Sequence, residues 1–142
     1  MTTTRLLRPA ERAYLAGQRL ARLATTGPDG GPQVRPVGFV LNDDDTIDIG
    51  GPALDRSQKY RNAEARPAVS LVVDDMAPAD DPIAPGWGRG VEIRGHAEVL
   101  VLDAPPMAPD FFGNHVIRIH PRRIVSWHLE PEDGGTRSRN VG

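Results

Sequence analysis

Between Val91 and Leu102 apolar and polar residues alternate for most of the run. Val91, Ile93, Gly95, Ala97, Val99 and Val101 share one face, and Glu92, Arg94, His96, Glu98 and Leu100 share the other. A period of two predicts a half-buried antiparallel strand. Shorter runs at Leu20 to Thr26, Gln33 to Leu41, Thr46 to Ile49 and Ala68 to Val73 also read as strands, and His115 to Leu129 as two strand segments broken at Pro121. The turn cluster Gly27-Pro28-Asp29-Gly30-Gly31-Pro32 joins the first two runs into a hairpin, and Asn42 to Asp45 makes the next turn. Pro36 lies inside the second strand, where it cannot donate to a ladder. It predicts an edge, a bulge, or a place where a ligand replaces the neighbouring strand.

Two segments have helical signals. Pro9 to Ala16 places proline at the first helical position and Glu11 near the positive helix start, with Gly17 to end it. A second helix runs to about Ala65, with Asp55 as its cap, Gln58 completing a capping-box pattern, and Pro67 forbidding continuation. Short strands without helices between most of them favour an antiparallel barrel or sandwich over a parallel sheet. The expectation is a mainly β chain of about six strands and two or three short helices. Residues 1–130 form one domain, and 131–142 a polar, glycine-rich tail. Residues 74–90 and 103–114 fall outside the strands, and loops of that length in a compact domain are functional or mobile.

Composition narrows the function. A length of 142 residues fits one domain, and the absence of cysteine excludes disulfides, thiolate metal sites and cysteine nucleophiles. A net charge of −2 offers no global attraction to nucleic acid or membrane. No apolar stretch approaches the roughly 20 residues of a membrane span, and the N-terminus lacks a signal-peptide core, so a soluble cytoplasmic protein is expected. His96, His115, His120 and His128 lack metal-ligand spacing. Asp43-Asp44-Asp45 lacks the glycine and distal glutamate of a calcium loop and reads as a solvated turn.

Candidate chemistry concentrates between Arg35 and Arg61. Arg56, Ser57, Lys59 and Arg61 surround a predicted helix start, where unpaired N–H groups and the dipole favour an anion; the alternative is an ordinary solvated basic helix. Pro36 and Gly38, within Arg35-Pro36-Val37-Gly38, would let a planar ligand approach the backbone, or would only bend a barrel strand. Gly86-Trp87-Gly88-Arg89-Gly90 precedes a strand and so fails as a nucleotide loop. It reads as a cover with Arg89 as a contact, or as a glycine hinge. Phe111-Phe112 either cover a hydrophobic substrate or pack into the core.

Four motifs in order carry a resemblance: Asp29-Gly30-Gly31-Pro32 with Pro36-Val37; Lys59, Arg61 and Asn62; Gly95 and Ala97; and Ile119, Pro121, Arg123, Ile124 and Trp127. From about Tyr14 to Leu129 the chain resembles the pyridoxamine-5′-phosphate-oxidase-like split-barrel family of flavin and deazaflavin proteins, and within it an actinobacterial subgroup that uses coenzyme F420. The resemblance implies a six-stranded split barrel and an oxidoreductase that passes a hydride from reduced F420 to an electron-poor double bond. FMN is the alternative cofactor, and a non-catalytic cofactor or tetrapyrrole carrier the alternative function. It implies that Lys59, Arg56 and Ser57 hold the cofactor phosphate and that Arg35, Pro36, Val37 and Gly38 line the ring. Gly50 and Gly51 stand where the family often has hydroxyl residues. The resemblance further implies a homodimer with the site at the subunit interface and Trp127 as a partner-side wall.

Overall fold

The computed structural model describes residues 5–131 and 135–142. Its strands are β1 (Leu20–Thr26), β2 (Pro32–Leu41), β3 (Ile47–Ile49), β4 (Ala68–Met76), β5 (Gly88–Val101), β6 (His115–Trp127) and β7 (Thr136–Asn140). They lie in the order β3-β2-β1-β4-β5-β6-β7, and a further pairing of β3 with β6 closes the first six into an antiparallel barrel. Helix α1 (Pro9–Ala16), a 3-10 turn (Leu54–Arg56) and helix α2 (Gln58–Ala65) complete the described structure. The expected mainly β, six-stranded split barrel is the architecture found.

The strand period explains the barrel's interior. Ala21 and Leu23 of β1, Val37 and Phe39 of β2, Ile47 and Ile49 of β3, Leu71 and Val73 of β4, Ile93 of β5, and Ile117, Ile119 and Ile124 of β6 are all buried. Of the alternate residues of β1 and β2, Leu20, Arg22, Val34 and Pro36 are exposed, and Ala24, Thr26, Gly38 and Val40 are half-buried. Helix α1 adds Tyr14 and Leu15 to the core. Among the described residues, no helix is long and apolar enough to cross a membrane.

Four features differ from the sequence expectation. Strands β4 and β5 continue past Val73 and begin before Val91, because Asp74, Asp75 and Met76 pair with Gly90, Arg89 and Gly88. The acidic pair hides the strand from a hydropathy reading, and the first long loop shrinks to residues 77–87. Strand β6 runs unbroken through Pro121, which sits beside a bulge where the register slips between Arg94 and Gly95; a bulge tolerates a residue with no N–H. Part of the expected tail is β7, which pairs with Arg123 to Trp127 of β6. Asp45 is fully buried and not solvated: its carboxylate accepts from Leu6 N (2.8 Å) and Leu7 N (2.9 Å) and pairs with Arg12.

The crossing at Gly95 leaves no room for a side chain. A Cβ there would lie 2.5 Å from the carbonyl oxygen of His120 and 2.9 Å from Ile119 Cγ2. Gly95→Ala is therefore expected to destabilise the fold by about 1–3 kcal/mol, the usual range for overpacking. Gly113→Ala, where a Cβ meets nothing within 4 Å, is expected to change little. Urea denaturation of the two variants separates close packing at Gly95 from a general intolerance of alanine.

Candidate functional site

Strand β2 carries an open edge. On one side it pairs with β1 from Pro32 to Gly38. On the other it pairs with β3 only through Phe39, Val40 and Leu41. Among the described residues, the stretch 32–38 thus has no strand neighbour on its second side, and its backbone can meet a ligand. Pro36 falls in this stretch, which accounts for a proline inside a barrel strand.

Helix α2 begins beside that edge. Its cap is Ser57, not Asp55, because the 3-10 turn takes Asp55 out of the helix. The Ser57 hydroxyl accepts from Tyr60 N at 3.3 Å and donates to the Leu54 carbonyl at 2.6 Å. Gln58 makes no capping box; its amide donates to Asn62 Oδ1 at 2.7 Å and accepts from Arg61 at 3.0 Å. Ser57 satisfies one donor of the first turn, and the N–H groups of Gln58 and Lys59 belong to the remaining unpaired set that every helix start presents.

A cleft of about 550 Å³ lies between this helix start and the β2 edge, lined by Thr25, Gln33, Val34, Arg35, Ser57, Gln58 and Lys59. Lys59 is half-buried, and burial followed by the nearby positive charge of Arg35 lowers its pKa below the ordinary lysine value. Neither Lys59 nor Arg35 forms an ion pair among the described residues, although eleven arginine–carboxylate pairs occur there. Two cations that repel each other in a cleft beside a helix start are the kind of arrangement that an anion would stabilise. A phosphate between them would reverse the depression of Lys59.

Asn62 fixes the geometry of this cleft. It is fully buried, and its amide donates to Thr25 Oγ1 (3.0 Å) and to Gln33 Oε1 (2.9 Å). Its oxygen accepts from Gln58 (2.7 Å) and Arg66 (3.4 Å). A buried amide with these four bonds ties α2 to both strands of the hairpin. Thr25 and Gln33 escape a reading of the sequence alone. Their only signal is a polar residue on the inward face at the end of each strand.

The other expected site residues are spread more widely. Val37 is buried in the core, so only its backbone is available to a ring. Gly38 and Gly50 lie beneath the loop 102–114: a Cβ on Gly38 would be 3.1 Å from Met107 Sδ, and one on Gly50 would be 3.0 Å from Pro106 and 3.1 Å from Phe112. Gly51 faces Leu54 at an ordinary 3.6 Å. Arg56 is exposed, and its carbonyl accepts from Arg61 at 2.7 Å. Arg89 forms a fork with Asp75 at 2.8 and 3.2 Å, reaches Asp81 at 3.5 Å and lies 5.2 Å from the Tyr14 ring centre. Trp127 lines a second cavity of about 270 Å³ on the outer sheet face, with Arg22, Ala24 and Glu92. Val34 lines both cavities. Among the described residues, no group of three or more histidines and carboxylates could hold a metal.

The chain is thus a closed six-stranded split barrel with an open strand edge and a cleft lined by Lys59 and Arg35 beside it. Residues 7–128 match the family described as pyridoxamine 5′-phosphate oxidase, and the chain belongs to that family. It is 38% identical over 133 residues to a 5a,11a-dehydrotetracycline/5a,11a-dehydrooxytetracycline reductase of Streptomyces rimosus, a match covering 92% of this chain and 90% of that protein. A solved structure described as an F420 reductase is 26% identical, with a TM-score of 0.59, over 83% of this chain and 98% of that one. A heme binding protein of Mycobacterium smegmatis shares the fold at 20% identity and a TM-score of 0.65; the match covers 95% of this chain but 60% of that one.

Proposed function

We propose that this protein is an F420H2-dependent reductase acting on an electron-poor double bond of a polycyclic organic substrate. The observation that carries the reading is the cation pair Lys59 and Arg35, unneutralised at a cleft beside the open β2 edge. The 38% identity to a reductase of dehydrotetracyclines supports the reaction class and the polycyclic substrate. FMN in the same site is the second reading, since the donor set recognises a phosphate and not a particular ring.

The residues fit such a cofactor. Lys59 and the first-turn N–H groups of α2 hold the phosphate, while Arg56 extends the positive rim. Arg35, Pro36, Val37 and Gly38 present the strand edge to the ring. When bound, a reduced deazaflavin supplies the hydride. The protein binds and orients the reactants and keeps water from the ring. The Arg35 guanidinium serves to steady developing negative charge and not to deliver the proton. Arg89 enters this scheme only if it leaves the carboxylates of Asp75 and Asp81.

The reading includes a homodimer. The outer sheet face exposes Leu20 and Val34, while Trp127 lines a cavity that shares Val34 with the anion cleft. A second copy seated there would bring its own wall to the ring site. Light scattering is expected to give twice the chain mass, and Val34→Lys to shift it towards the single chain. Turnover is tested by mixing the protein with F420H2 and 5a,11a-dehydrotetracycline and following cofactor oxidation. Cofactor binding with no oxidation by this substrate or by simple enones would count against the reductase and for a carrier.

A further inference from the structure

The loop 102–114 is a built element. A bond from Leu102 N to the Asn114 carbonyl (2.8 Å) closes its base, and the Ala108 carbonyl accepts from both Phe111 N and Phe112 N at 2.9 Å. Ala108 holds φ at 44°, a left-handed conformation that costs a non-glycine residue about 1–2 kcal/mol. The loop rests on two glycines from different strands. Met107 lies over Gly38 of β2, while Pro106 and Phe112 lie over Gly50 after β3. A side chain at either glycine would crowd the loop, so the pair sets how closely it approaches the strand edge.

That seat adjoins the proposed ring site. Gly38 is three strand residues beyond Arg35, about 10 Å along β2, and Gly50 leads through the 3-10 turn to Lys59. A ligand anchored by phosphate at Lys59 and Arg35 and extending along the open edge would meet Met107 at its far end. Phe112 is turned inward on Gly50, but Phe111, next to it on the same turn, is 77% exposed. An exposed phenylalanine held by a closed, partly strained turn beside a ligand edge is a surface for a flat apolar partner.

We infer that the loop 102–114 is the substrate-selecting wall of this site, with Met107 and Phe111 as contacts for the ring system of a polycyclic substrate. The inference rests on the cofactor reading above and adds to it the residues that choose the substrate. Phe112, Pro106 and the two glycines hold the wall in place, and Met107 and Phe111 touch what lies against it.

The test is equilibrium binding of tetracycline, a tetracyclic probe whose 5a,11a bond is already reduced, to the F420-loaded protein. Phe111→Ser and Met107→Ala are each expected to weaken tetracycline binding about tenfold, as loss of a buried apolar contact does. Phe111→Ser should bind F420 within about twofold of the wild type, since Phe111 lies neither at the phosphate nor over the β2 edge. Absence of tetracycline binding to the wild type, or unchanged affinity in both contact variants, would overturn the assignment. Failure of the wild type to bind either F420 or FMN refutes the cofactor reading instead, and is seen in the cofactor titration alone.

Discussion

Replacing Lys59 with alanine is expected to weaken binding of a phosphorylated cofactor by about ten- to a hundredfold, the effect of removing a charged hydrogen-bond donor worth roughly 1.5–3 kcal/mol. The same variant should bind riboflavin, which has the ring and sugar chain but no phosphate, within about twofold of the wild type. The contrast follows from the cleft. Burial and the charge of Arg35 already hold Lys59 below its ordinary pKa, so the unliganded protein carries an electrostatic cost that a bound anion would relieve. Arg35→Met should let the Lys59 pKa rise, measurable by NMR titration of the labelled side chain. Folding should survive in both variants, because neither cation forms an ion pair within the described structure.

Arg139→Ala is expected to produce the largest loss of stability, about 3 kcal/mol, the lower end of what stranding a buried charge costs. Arg139 lies on β7 and reaches both oxygens of Glu11, at 3.0 and 2.6 Å, as well as the Leu6 carbonyl at 2.8 Å. Glu11 is 1% exposed and also accepts from Ser126 at 2.6 Å and Arg8 N at 2.8 Å. Burial alone would raise the Glu11 carboxyl, but the bonds from Arg139, Ser126 and Arg8 outweigh it and hold the pKa below the ordinary value. A group lowered in the folded state stabilises above its unfolded pKa, and this contribution is lost as pH falls through the folded pKa. The deficit of Arg139→Ala should thus be greatest near neutral pH and shrink in acid. Glu11→Gln combined with Arg139→Ala should recover part of it, because the buried charge is gone. Urea denaturation from pH 7 to pH 4 reads both effects. A deficit that does not change with pH would place the contribution of Arg139 in packing instead of charge.

The barrel was legible because its strands alternate and its turns carry glycine and proline. Val91 to Leu102 announced a half-buried strand, and of the three readings Pro36 allowed, an edge, a bulge or a ligand in place of a neighbour, the open edge is the one found. What the sequence hid was polar. Asp74 and Asp75 extend β4 because they face β5, not because they are apolar. The segment after Pro131 looked like a tail, yet β7 pairs with β6 and anchors Glu11 through Arg139. That contact spans 128 residues of sequence, and no local pattern reveals it.

The candidate site was legible in part for the same reason. Lys59 stood out by charge at a helix start and Arg35 by its place in the strand segment with Pro36 and Gly38, and the structure brings the two to one cleft. Ser57 lines the cleft at the helix start, and its hydroxyl is already engaged in the cap. Thr25, Gln33 and Asn62, which hold the cleft together, are ordinary polar residues until their mutual hydrogen bonds are known. Arg89 drew notice as a cation in a glycine-rich loop, but its guanidinium is bound to two carboxylates. Charge alone does not say whether a cation is free; only the partners in space decide it.

The central claim is that Lys59 and Arg35 form a phosphate site beside the β2 edge. The most direct measurement is a spectral titration of wild type and Lys59→Ala with F420 and FMN, each beside its phosphate-free counterpart. The account predicts saturable wild-type binding of at least one phosphorylated cofactor, and a phosphate-dependent gain in affinity that disappears in Lys59→Ala. A phosphate that adds as much affinity to the variant as to the wild type, or a wild type that binds neither cofactor, would contradict it.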